Sequence, residues 1–124
     1  MRVRPGLPMD VRVVVLLIVV GGLAFLVEGV VRWRADGVAA DLTLPVVFAA
    51  FQLSVAAGVL ARLRVSRIIG VLVLAVGMLL HLLIVLGGGP WWARVVSGVL
   101  VPTGGYAAVL LNTGPVRDYL RSAR

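Results

Sequence analysis

Apolar residues fill four long stretches of this chain, separated by short polar breaks. A membrane-spanning helix needs roughly 20 mainly apolar residues at a rise of about 1.5 Å each. Residues 13–31, 44–61, 68–86 and 91–111 each come near that length. The pattern predicts an all-α fold: one integral membrane domain, built as a four-helix transmembrane bundle.

The small and polar residues inside the stretches indicate which faces meet. Lipid is as apolar as leucine, so helices in a bilayer associate through small residues and polar contacts. Such residues recur at helical spacing. They are Gly21, Ala24 and Glu28 in the first stretch, and Ala49, Gln52 and Ala56 in the second. The third carries Gly70, Gly77 and His81; the fourth carries Gly98, Pro102, Gly105 and Asn112. Each row is expected to face the bundle interior. Pro102 should kink the fourth helix, because it removes a backbone donor.

End signals agree with these spans. Asp10 and Ser66 are placed to cap the first and third helices. Thr43 with Pro45, and Pro90, suit the starts of the second and fourth. "NTGP", Asn112 to Pro115, reads as the stop of the fourth. The basic, then apolar, N-terminal region resembles a signal peptide, with "VAAD" at Val38 to Asp41 as a small-residue site. Its apolar run is longer than a usual signal core, and Arg32 and Arg34 stand between run and site, so a retained first helix is expected.

Composition names the solvent. Of 124 residues, 61% are hydrophobic and 14% charged, with a mean hydropathy of +1.12. An ordinary soluble domain carries about 25% charged residues. A domain of this size leaves much of its surface exposed, so it could not hide so much apolar area from water. The bilayer is therefore the expected partner of most of the surface.

The net charge of +7 comes from twelve basic residues, all arginine. Nine fall on one side of the spans: Arg2, Arg4, Arg12, Arg62, Arg64, Arg67, Arg117, Arg121 and Arg124. Three fall on the other: Arg32, Arg34 and Arg94, balanced by Glu28, Asp36 and Asp41. Basic residues near span ends stay in the cytoplasm, so both termini are expected there, N-in/C-in. Topology and attraction to anionic lipid account for the charge, and nucleic acid is not an expected partner. The arginine-only usage, with abundant Val, Ala and Gly, matches a GC-rich bacterial genome and a bacterial cytoplasmic (inner) membrane. Trp33, Trp91 and Trp92 fall at the outer span ends, where tryptophan anchors helices at the interface.

Chemistry has few carriers. The chain has no cysteine, which excludes disulfides, thiolate metal sites and dithiol redox chemistry. One His and one nearby Glu do not make a four-coordinate metal site, and no cofactor is expected. Ser54 and Ser97 lack a nucleophile-elbow context, and no acidic residue is placed to orient His81. "GGGP" at Gly87 to Pro90 has no following Lys, so it reads as a tight turn and not a phosphate loop. An enzymatic role is the less favoured reading.

What remains is a polar cluster. At helical rise, Glu28 lies about 4.5 Å, His81 about 7.5 Å and Gln52 about 12 Å below the outer span ends. Intramembrane ionisable groups point to function, and His titrates near neutral pH. Glu28, Gln52, His81 and Arg32 are therefore the candidate ligand- or proton-binding residues. The competing structural reading pairs Glu28 with Arg32, one turn on, and gives His81 a carbonyl or Gln52 as partner.

Residues 51–88, "FQLSVAAGVLARLRVSRIIGVLVLAVGMLLHLLIVLGG", resemble the middle of DoxX-like membrane proteins. The corresponding positions are Gln52, Gly58, Leu63 with Arg64, Met78 and His81. DoxX-like proteins often carry an acidic residue where Gln52 stands, and a glycine–lysine pattern where this chain has Gly29 and Arg32. The resemblance implies a four-helix bundle associated with respiratory or redox membrane complexes. It carries over no catalytic residue. The function expected is that of a small non-enzymatic accessory or structural subunit of a larger membrane complex, or of a homo-oligomer. The alternative is a small transporter or ligand-binding bundle that uses the outer polar cluster.

Overall fold

The structure, a computed structural model, describes residues 8–121. Arg2, Arg4 and Arg124 of the charge count lie outside the described residues. Four long helices run α1 (Met9–Asp36), α2 (Thr43–Leu60), α3 (Val65–Leu86) and α4 (Trp91–Leu111). A 3₁₀ turn, Ala39–Leu42, precedes α2, and a short helix α5 (Gly114–Arg121) follows α4. All four long helices are long and apolar enough to cross a membrane, as the hydropathy pattern predicts.

Consecutive helices are antiparallel neighbours, and α4 closes the ring against α1. Two ends result. One carries the α2–α3 turn and α5, and is rich in arginine. The opposite, distal end carries the α1–α2 loop with its 3₁₀ turn and the α3–α4 turn.

The outward surface is apolar. Leu16, Leu72, Leu79, Leu83, Val99 and Val109 are each at least 60% exposed. Contiguous apolar area on this scale is not tolerated in water, whereas in a bilayer it meets lipid at no cost. The interior is divided along its length. Val11, Val14, Ile18, Val55, Val59, Leu74 and Leu111 fill the arginine-rich half, joined by Val116, Tyr119 and Leu120 of α5. The distal half buries Glu28, Gln52, His81 and Ser97 around Phe25 and Phe48.

Glycines set the closest approaches. A β-carbon on Gly29 would lie 2.5 Å from Pro45 Cγ, so α1 and the start of α2 meet with no room for a side chain. Gly58 meets Ser66 across the α2–α3 turn more tightly still. Arg62 takes a left-handed conformation (φ 62°) in that turn, and Gly37 does so (φ 72°) at the end of α1.

Four boundary expectations change. Pro8, not Asp10, is the N-cap of α1; its carbonyl accepts from Arg12 N–H at 3.1 Å. Asp10 falls inside the first turn, where its charge complements the helix dipole. Arg64 is the N-cap of α3. The turn closes on itself through Leu63 N–H to the Gly58 carbonyl and Ser66 N–H to the Leu63 carbonyl, so the helix begins ahead of Ser66. Ser66 is buried against Gly58 instead of capping. "NTGP" ends α4 but also starts α5, because Pro115 stands in the first turn, where its missing N–H costs nothing. The first span is also longer than residues 13–31: 28 residues extend about 42 Å, beyond a hydrocarbon core of about 30 Å.

Pro102 lies inside α4 without ending it. The residue four positions earlier is Gly98, whose carbonyl is the one that loses its helical donor.

Candidate functional site

Three of the four small-residue rows face as the spacing predicts. Gly21 and Glu28 of α1, with Ala24 half-buried, face inward. So do Ala49, Gln52 and Ala56 of α2, and Gly70, Gly77 and His81 of α3. The fourth row needs correction. Gly98, Pro102 and Asn112 are exposed; Ala93, Ser97, Leu100 and Ala107 are the inward residues of α4. The α4 glycines serve the seam with α3: β-carbons on Gly104 and Gly105 would lie 3.1 and 3.3 Å from Met78 Cγ and Cε. Gly98 and Gly105 lie about 80–100° round the helix from the interior-facing line through Ser97, whereas Gly104 falls on that line and borders the void at Gln52 and His81.

Ser97, which the sequence excludes as a nucleophile, joins the polar cluster in the fold. It is fully buried, and its Oγ stands 3.4 Å from His81 Nδ1. Its hydroxyl also lies on the Glu28 side chain, and the Arg32 charge acts on that carboxyl from one turn along α1. Neither neighbour reaches hydrogen-bond geometry. Both Glu28 oxygens and Arg32 Nε are buried with no hydrogen-bond partner among the described residues. No Glu28–Arg32 ion pair forms among the described residues either, so the predicted pairing is not made. Arg32 reaches instead toward the glycine turn, with Nη2 3.8 Å from where a β-carbon on Gly89 would sit.

The predicted cluster is therefore two sites joined by one hydroxyl. Glu28 and Arg32 line a cleft of about 420 Å³ at the distal end. Its walls come from Phe25, Asp41, Pro45, the Gly87–Gly89 turn and Ala93. Gln52 and His81 line a separate void of about 20 Å³ deeper in the bundle, room for about one water. Phe25 borders both and meets the His81 ring edge-on at 4.7 Å between centroids. Gln52 lies against the bare faces of Gly21 and Gly22. No direct Glu28–His81 hydrogen bond or ion pair is present among the described residues; Ser97 stands between them.

That order matters chemically. In a Ser–His–carboxylate triad the imidazole stands between the other two, and the carboxylate fixes its tautomer. Here the hydroxyl stands in the middle, so Glu28 does not orient His81. The arrangement suits holding polar groups in register between three helices. It also places an ionisable group at the base of an accessible cleft. Among the described residues no group of three or more His, Asp or Glu is placed to hold a metal ion.

Trp33 and Trp91 are exposed at the distal ends of α1 and α4, and Trp92 is half-buried beside them. Compared with known protein families, with curated proteins and with solved structures, the chain finds no match.

Proposed function

We propose that this chain is a small, non-enzymatic membrane bundle that binds an amine-bearing polar solute in its distal cleft. The observation that carries the reading is Glu28. Its carboxyl is 3% exposed, lines the cleft, and has neither oxygen hydrogen-bonded among the described residues. Buried polar atoms are nearly always paired, and leaving one unpaired costs about 1–3 kcal/mol. An ammonium group supplies donors to both oxygens through charge-assisted hydrogen bonds, which are roughly twice as strong as neutral ones.

The cleft selects further. Two carboxyl groups, Glu28 and Asp41, line it against one guanidinium, Arg32. A ligand with an ammonium group and, at most, one anionic group matches that balance. In the orientation read from the arginine distribution, the cleft opens away from the cytoplasm of a bacterial inner membrane.

Thermal unfolding of the detergent-solubilised protein with ethanolamine, glycine, choline and acetate tests this. At least one amine should raise Tm, acetate should not, and Glu28→Gln should abolish the rise. No shift with any amine would overturn the reading.

A second reading, an accessory subunit of a larger membrane complex or a homo-oligomer, draws on α2. Ala50, Ser54, Ala57 and Ala61 form an exposed row of small residues at helical spacing. The respiratory or redox link implied by the DoxX-like resemblance belongs to this reading. It predicts that the protein leaves the membrane in mild detergent with a stoichiometric partner or as an oligomer. A lone monomer at native expression level counts against it.

A further inference from the structure

At the arginine-rich end, a groove of about 480 Å³ is lined by Arg64, Arg67, Arg117, Arg121, Ile68 and Leu120. Three separate segments build it: the α2–α3 turn, the first turn of α3, and α5. Each is fixed from the fold side. Tyr119 donates to the Leu60 carbonyl at 2.8 Å, and the Arg62 guanidinium lies 4.5 Å above the Tyr119 ring, which ties α5 to the end of α2. Arg67 donates to Asn112 Oδ1 at 2.9 Å, which ties α3 to the end of α4. The guanidinium groups are thus presented by a braced frame. Among the described residues, the one acidic side chain paired with these arginines is Asp118, held by Arg121 at 2.7 Å. Among the described residues, Arg64 and Arg117 make no ion pair.

A second, apolar hollow of about 190 Å³ adjoins this groove and shares Arg67 and Ile68 with it. Its other walls are Val71, Leu72 and Asn112, so it runs from the arginines along the membrane-facing side of α3. A cationic basin continued by an apolar channel has the shape of a headgroup with an acyl chain. Positive-inside topology alone needs arginines near span ends. It does not require four of them around one groove, nor a lipid-facing channel leading from it.

We propose that this groove is a binding site for one anionic phospholipid, with its phosphate on Arg64, Arg67 and Arg117 and an acyl chain along Ile68, Val71 and Leu72. Guanidinium groups suit the part, because their planar fork bonds phosphate oxygens in pairs. Each basic residue near an anionic headgroup contributes about 1 kcal/mol. Losing two arginines should therefore weaken binding roughly thirtyfold. The site lies at the opposite end of the bundle from the solute cleft and does not depend on it.

Native mass spectrometry of the purified full chain tests this by titration with phosphatidylglycerol and phosphatidylcholine in the same detergent. The wild type should retain one phosphatidylglycerol in clear preference to phosphatidylcholine. Arg64→Gln/Arg117→Gln should lose that preference, with affinity down roughly thirtyfold. Arg34→Gln/Arg94→Gln, which removes the same charge from the distal end, should keep it. Millimolar inorganic phosphate should not displace the lipid. Equal retention of both lipids, an unchanged preference in Arg64→Gln/Arg117→Gln, or displacement by phosphate alone would each overturn the assignment.

Discussion

Ser97 and Glu28 are neighbours with opposite expected effects on stability. Ser97 is fully buried and gives His81 its hydrogen-bonding contact. Ser97→Ala removes that partner while filling the same space, so it should destabilise by about 1–2 kcal/mol, read as a lowered unfolding midpoint in detergent. Glu28 has no hydrogen-bond partner to lose among the described residues. Glu28→Gln keeps the shape and breaks no hydrogen bond, so the ligand-free protein should be as stable as wild type or more stable by about 1 kcal/mol. A strongly destabilised Glu28→Gln variant would mean that the carboxyl holds the bundle together and is not reserved for a ligand. At this scale the sequence was partly legible. Glu28, Gln52 and His81 stood out because ionisable and amide groups are rare in such a chain. Ser97 did not, because a serine in a membrane helix is common and its role depends on which way α4 is turned.

Among the elements, the rows of α1, α2 and α3 were readable because each of these helices uses one face for both its glycines and its polar group. α4 separates the two functions. Gly98 and Gly105 serve the seam with α3, while Gly104 shares the central line of Ser97, Leu100 and Ala107 and also admits Met78. Small size alone could not distinguish a seam from a centre. α5 was missed because Gly114 and Pro115 are read as a stop, and the same two residues suit a helix start. Close approach gives a prediction for the α1–α2 hairpin. Gly29→Val places a branched side chain against the Pro45 ring and should destabilise by about 1–3 kcal/mol or more. Tyr119→Phe keeps the ring and removes the hydrogen bond from α5 to the Leu60 carbonyl. It should cost about 0.5–1.5 kcal/mol and raise hydrogen exchange in α5 ahead of the long helices.

For the whole molecule, length, hydropathy and spacing were enough for four apolar helices in a bundle. Helical spacing pointed to one outer cavity shared by Glu28, Gln52 and His81, but not to its division in two, nor to the basic groove, because each cavity is assembled from segments distant in sequence. The distal cleft needs the 3₁₀ turn and the Gly87–Gly89 turn brought over Glu28. The basic groove needs α5, packed on α1 and α4 and tied to the end of α2, brought beside the start of α3. The two cavities differ in charge: two carboxyls against one guanidinium line the distal cleft, and four arginines line the basic groove. The cysteine-free sequence makes its orientation easy to read. Single-cysteine variants at Gly37 or Gly88 should react with a membrane-impermeant maleimide on intact spheroplasts. A variant at Leu63 should react only after the membrane is opened.

Reactivity at position 28 itself tests the solute cleft most directly. Glu28→Cys in intact cells should react with an externally added, membrane-impermeant cationic thiosulfonate. The reaction should run much faster than at the lipid-facing control Leu79→Cys, and an amine that stabilises the wild type should not protect Glu28→Cys, which lacks the carboxyl. A rate at Glu28→Cys no greater than at Leu79→Cys, or reaction only from the opposite side of the membrane, would contradict a cleft that opens outward onto Glu28.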